Sequence, residues 1–229
     1  MIELKQSIER RGFLGSIAKG AAVVGLSGIA FPLAAAGSAP VPTPDQSGDP
    51  TFETWLNKIT GKHKILLDTP ALNSGFPLAW SRVFLMTNGE LGVTAGELSA
   101  VVVIRHDAFP LALESSLWEK YRFGESLKVT DPKTGTTAKR NIFWQPAPGD
   151  FPIPGMGISD LQKEGVLFGV CKVALAFNAE HIAKDMKMDA AEVKKDFFGG
   201  ILPGIQPLPS GILAVNRTQE HGCTYCFAG

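Results

Sequence analysis

The chain has 229 residues, with 22 basic and 22 acidic side chains and a formal net charge of zero. That balance argues against broad electrostatic binding to nucleic acid or to an anionic lipid surface, and no basic cluster occurs beyond the start of the chain. Once an N-terminal segment is set aside, about 190 residues remain, enough for one domain with a sizeable core. No periodic repeat is present.

The first residues have the layout of an export signal. Ser7-Ile8-Glu9-Arg10-Arg11-Gly12-Phe13-Leu14 resembles the twin-arginine motif. An apolar, Gly/Ala-rich run follows over residues 17–33, and Ala34-Ala35-Ala36 offers the small residues a signal peptidase reads. The expectation is a signal peptide over residues 1–36, cleaved after Ala36, and a periplasmic protein. A cut after Ala39 is disfavoured by Pro40. Left uncleaved, the same run could almost span a bilayer, and this is the membrane association the sequence offers. Its shortage of large apolar residues weighs against that. Residues 37–51, rich in Pro, Ser, Gly and Asp, read as a linker.

Residues 52–229 are expected to form a single domain. A short amphipathic helix is predicted over residues 52–59 and a first strand, buried on both faces, over 64–68. A long loop, 69–75, leads to a helix over 76–88 that stops at Asn88-Gly89. The second strand is predicted over 99–104, with Arg105-His106-Asp107 at its carboxyl end, and a helix over 109–118. Residues 121–149 are irregular. Pro146, Pro148, Pro152 and Pro154 then make an extended excursion, read as a lid, a binding loop or an oligomer contact. A short helix over 158–164 precedes Gly165-Val166-Leu167-Phe168-Gly169-Val170-Cys171, an apolar run of strand length. Helices follow over 173–185 and, opened by Asp189-Ala190-Ala191-Glu192, to residue 198. Residues 201–208 are too proline-rich for a central strand, although their start could pair locally. Ser210 caps a last helix through residue 221, and the tail is β-prone. Strands alternating with helices make this α/β, with a mostly parallel sheet flanked by helices. Trp80, Phe84, Trp118 and Phe168 are assigned to the core, and His63 and His181 to the surface.

Cys171 closes a strand and is followed at once by a helix. In an open parallel sheet that place is the crevice where ligands collect. Unpaired amide N–H groups and the positive end of the helix dipole favour a thiolate there. The alternative is a buried cysteine acting as a small hydrophobe. Three cysteines in an exported protein leave one unpaired, which is Cys171 if Cys223 and Cys226 bond. Cys223-Thr224-Tyr225-Cys226 lacks the histidine of haem attachment, because Phe227 stands there. As a strand, the tail points its two sulfurs to opposite faces; as a turn, it makes a small disulfide or half of a metal site. Cys171, Cys223 and Cys226 with His221 or His106 form a Cys₃His set suited to zinc, and thiolates also suit copper(I) or an iron–sulfur centre. Arg105-His106-Asp107 and Asp68 read either as an anion site or as exposed charged turns. No Gly-rich phosphate loop, Gly-x-Ser-x-Gly or His-Glu-x-x-His is present.

The order of elements resembles the DsrE/DsrF-like family. The resemblance rests on the run from Gly165 to Cys171 and on the ending Pro209-Ser210-Gly211-Ile212-Leu213-Ala214-Val215-Asn216-Arg217-Thr218-Gln219-Glu220-His221-Gly222. It implies a flavodoxin-like α/β fold, assembly as a homo-oligomer, and sulfane-sulfur or thiol redox chemistry with a persulfide on Cys171. Cys223 and Cys226 would resolve that adduct, and a sulfur-transfer or redox protein would be the partner. The export signal, the proline-rich excursion and the Cys-x-x-Cys tail depart from the family's compact, cytoplasmic pattern. The rival readings are a periplasmic Cys/His metal-binding module and a non-catalytic oligomeric interaction protein.

Overall fold

A computed structural model describes residues 49–229; the expected signal peptide and nearly all of the linker lie outside the described residues. Among the described residues no helix is long and apolar enough to cross a membrane. Helix α1 (Pro50–Leu56) starts on Asp49, whose side chain accepts from the Thr51 amide, with proline at the first helical position. Strands β1 (His63–Thr69), β2 (Leu98–Ile104), β5 (Leu167–Cys171), β6 (Ile205–Leu208) and β7 (Thr224–Phe227) form one sheet in the order β6-β5-β2-β1-β7. Every pairing in it is parallel, so all five carboxyl ends share one edge. β3 (Thr130–Asp131) and β4 (Thr136–Thr137) make a separate small hairpin.

The helices are α2 (Phe76–Glu90), α3 (Ser115–Lys120), α4 (Phe123–Ser126), α5 (Ile158–Lys163), α6 (Lys172–Met186), α7 (Ala190–Gly199) and α8 (Gly211–Glu220). From β1 through β2 and β5 to β6 the chain steps in one direction across the sheet. Crossovers of one hand then place their helices on one face. There Leu67, Val102, Ile104, Phe168 and Val170 pack with Leu78, Leu175, Ala179 and Phe197. The last crossover runs back to β7, beyond β1, so α8 lies on the other face. Phe52, Trp55 and Leu56 of α1 and Ala214 of α8 cover Leu66, Val101 and Val103 there. The domain is therefore α/β with a parallel sheet between helical layers, as expected. Like flavodoxin-like sheets it keeps its first strand one in from an edge, but the strand outside β1 is the last rather than the second.

Three local expectations change. The helix expected over 109–118 is a 3₁₀ turn (His106–Ala112) followed by α3, because Pro110 lies inside it and Leu113 leaves it to bridge Ile201. The Trp118 indole N–H donates to the Pro110 carbonyl and pins the two pieces together. Residues 205–208 do form a strand, but at the sheet edge, where Pro207 costs no internal ladder bond. Trp80 is not core; 36% of it is exposed, on a face of α2 with Phe76 and Val83.

The irregular stretch is tied to the body by the Asn141 side-chain amide, which donates to the Leu111 and Leu113 carbonyls, and is braced within itself by charge. The Arg140 guanidinium donates to both carboxylate oxygens of Asp131 (2.7 and 2.8 Å) and to Asp150 (3.2 Å), and Phe151 stacks on Phe143. Those bonds hold the Asp131 carboxyl below its ordinary value of 3.8. The stability they contribute is present above that value and is lost as pH falls through the lower folded one. Acid unfolding of the wild type should thus steepen below the ordinary carboxylate range, and Asp131→Asn should flatten that limb. In urea, Phe168→Ala should cost about 3–5 kcal/mol and Trp80→Ala under about 1 kcal/mol.

Candidate functional site

The carboxyl edge of the sheet carries the chemistry-bearing side chains. Asp68, the penultimate residue of β1, is 2% exposed. The chain leaves β2 through Arg105, whose Nε and Nη2 donate to the two Asp68 carboxylate oxygens at 2.6 and 2.8 Å. From β7 the Tyr225 hydroxyl donates to Asp68 Oδ2 at 2.8 Å. The Asp68 bonds hold the Arg105 guanidinium firmly protonated and push the Tyr225 phenol up. Asp68 and Arg105 are thus a bidentate pair, the carboxylate buried and the guanidinium partly so, rather than exposed turns. His106 follows with φ 52, a left-handed conformation rare outside glycine, while its imidazole stays exposed beside Asp107.

Cys171 occupies the cap position of α6, and its Sγ accepts the Ala174 amide N–H at 3.2 Å. This is the strand-to-helix placement its sequence position implies. β5 and β6 are neighbours whose outgoing helices, α6 and α8, lie on opposite faces. Such a switch point opens a crevice at the carboxyl ends. A cavity of about 230 Å³ lies there, lined by Arg105, His106, Cys171, Val173, Ala174, Phe177, Asn178, Ser210, Gly211 and Ile212.

Gly211 sets how tightly the site closes. A Cβ on it would stand 2.7 Å from Arg105 Cβ and 3.3 Å from Cys171 Cβ. Only glycine lets the start of α8 approach both side chains so closely. Ser210 Oγ accepts the Leu213 amide and fixes that helix start.

The other sequence candidates are not brought to this site. Cys223 precedes β7 at the amino edge and is buried with Leu66 and Trp55; burial pushes its thiol up. Cys226 lies within β7 and packs against the opposite core. The two sulfurs point to opposite faces, as a strand requires, and all three cysteines are free thiols. From β5 to β7 is three strand spacings, about 14 Å, so neither tail cysteine is placed to resolve an adduct on Cys171 within one chain. His221 ends α8, its Nδ1 at the Arg217 carbonyl. Among the described residues no three His, Cys, Asp or Glu side chains gather as a metal site, so the Cys₃His set does not assemble. The strand geometry of the tail and the separation of sheet edges are the reason. Sequence reasoning missed Tyr225 and the apolar rim of Val173, Phe177 and Ile212. Once residues 205–208 are taken as an edge strand, the pairing order would have pointed to them.

No family model, curated protein or solved structure matches the chain. The geometry of the site itself therefore carries its interpretation. Gly211→Val should wedge α8 away from Arg105 and Cys171. Peptide-resolved alkylation should then show a changed rate at Cys171, with Cys226 unaffected. In the wild type, Cys223 should be the slowest of the three thiols.

Proposed function

We propose that the protein handles sulfane sulfur or exchanges thiols through Cys171, as the DsrE-like resemblance implies. The observation that carries this reading is the position of the Cys171 sulfur. It takes an amide N–H at the start of a 15-residue helix and opens on a cavity walled by the Arg105 guanidinium. Amide donors and a nearby cation favour a reactive thiolate. Its chemistry with a persulfide donor is a displacement. The Cys171 thiolate attacks the outer sulfur of R–S–SH, the donor S–S bond breaks, and its electron pair leaves on R–S⁻, which takes a proton from solvent. Cys171 is left as Cys–S–SH.

The rest of the proposal follows the same resemblance and the N-terminal motif. Export by the twin-arginine route would bring the folded domain to the periplasm, with sulfur passed on to a sulfur-transfer or redox protein. Homo-oligomer formation is supported by the apolar side chains Phe76, Trp80, Val83 and Met86, exposed along α2. Because Cys223 and Cys226 stand apart from Cys171, release of the sulfur falls to the acceptor rather than to a resolving thiol in the same chain.

Intact mass after incubation with a low-molecular-weight persulfide tests the reading. One added sulfur atom is expected, lost with reductant, absent from Cys171→Ala and retained in Cys223→Ala and Cys226→Ala. No adduct, or one that persists in Cys171→Ala, would overturn it.

A further inference from the structure

The cavity beside Cys171 has a composition that selects its occupant. Its polar lining residues are Arg105, His106, Cys171, Asn178 and Ser210, so it carries a guanidinium and no carboxylate. Asp68 occupies Nε and Nη2 of Arg105. Nη1 has no hydrogen-bond partner among the described residues, so the guanidinium retains donors for a second acid group. Asp107, two residues after Arg105, is exposed beside His106 and does not line the cavity.

The walls are of another kind. Val173, Phe177 and Ile212 are 57, 58 and 67% exposed, large apolar side chains standing round an opening whose floor is charged. Phe177 is held in place by the imidazole of His181, with ring centroids 4.2 Å apart. A small inorganic anion would satisfy the floor and leave the walls bare. A neutral apolar molecule would cover the walls and leave the remaining Arg105 donors without an acceptor.

We infer that this cavity binds a small organic anion with an apolar body. The acid group meets Arg105, and the body lies between Val173, Phe177 and Ile212. Resting on the reading of Cys171 as the reacting thiol, the substrate class becomes an aryl or alkyl persulfide or disulfide that carries a carboxylate or sulfonate.

Binding is tested apart from chemistry in the full-length Cys171→Ser protein, using 4-nitrobenzoate as probe and ligand-observed NMR as readout. Saturable binding is expected, with 4-nitrobenzamide and inorganic sulfate each at least several-fold weaker. Phe177→Ala and Arg105→Gln should each weaken the probe several-fold. Arg105→Lys, which keeps a cation, should lose less, and circular dichroism checks that each variant is folded. Absence of saturable binding, equal binding of the amide or of sulfate, or indifference to Phe177→Ala would overturn the inference. Because the serine variant cannot carry sulfur, probe binding without a persulfide in the wild type would sink the sulfur-handling reading alone. A persulfide without probe binding would sink only this one.

Discussion

A carboxylate buried near the end of the first strand governs the carboxyl edge of the sheet. Asp68 cannot stay charged in that place without partners, since desolvating a lone carboxylate costs far more than a domain can spare. Arg105 supplies two parallel hydrogen bonds and Tyr225 a third. The pair does more than neutralise Asp68. It draws the guanidinium at the end of β2 into one orientation and links β1, β2 and β7, three adjacent strands. Once Arg105 is fixed, the floor of the cavity beside Cys171 is fixed with it.

Topology supplies the rest. A chain that winds four strands in one direction and returns its fifth to the far side of the first must send one helix to the opposite face. The crevice forms where that reversal begins, between β5 and β6. Two helix starts, α6 and α8, converge there, and Gly211 allows α8 to approach Arg105 and Cys171 more closely than any side chain would permit. The site is thus assembled from the ends of β2 and β5 and the segment after β6, each held by the packed sheet rather than by a mobile loop. Such support keeps a thiol, a guanidinium and an amide donor in one geometry.

Much of this was legible in the sequence. The unbroken apolar runs before Asp68, Arg105 and Cys171 announced buried parallel strands. Ser210 and Asp189 marked helix starts that the structure keeps, with Leu213 and Glu192 amides bound as expected. What could not be read was pairing order. Pro207 hid an edge strand, and without β6 the switch point had no location. Asp68 and Arg105 lie 37 residues apart, and a charged residue after an apolar run looks the same whether it faces water or a buried partner. The Cys-x-x-Cys spacing was informative only after the tail was known to be a strand, which sends its sulfurs to opposite faces. Trp80 shows the converse limit, since helical spacing identifies an apolar face but not whether anything covers it.

The proposed reactivity of Cys171 rests on the charge of Arg105, which Asp68 sets in place beside it. The most direct measurement is the rate at which iodoacetamide modifies Cys171, resolved by peptide mass spectrometry, with Cys226 as the reference in the same molecule. It is made in the wild type and in the Asp68→Asn/Arg105→Gln double variant, which removes both charges and leaves no carboxylate buried alone. A several-fold slower reaction at Cys171 and an unchanged one at Cys226 are expected in the double variant. Equal rates at Cys171 in both proteins would contradict that role of Arg105.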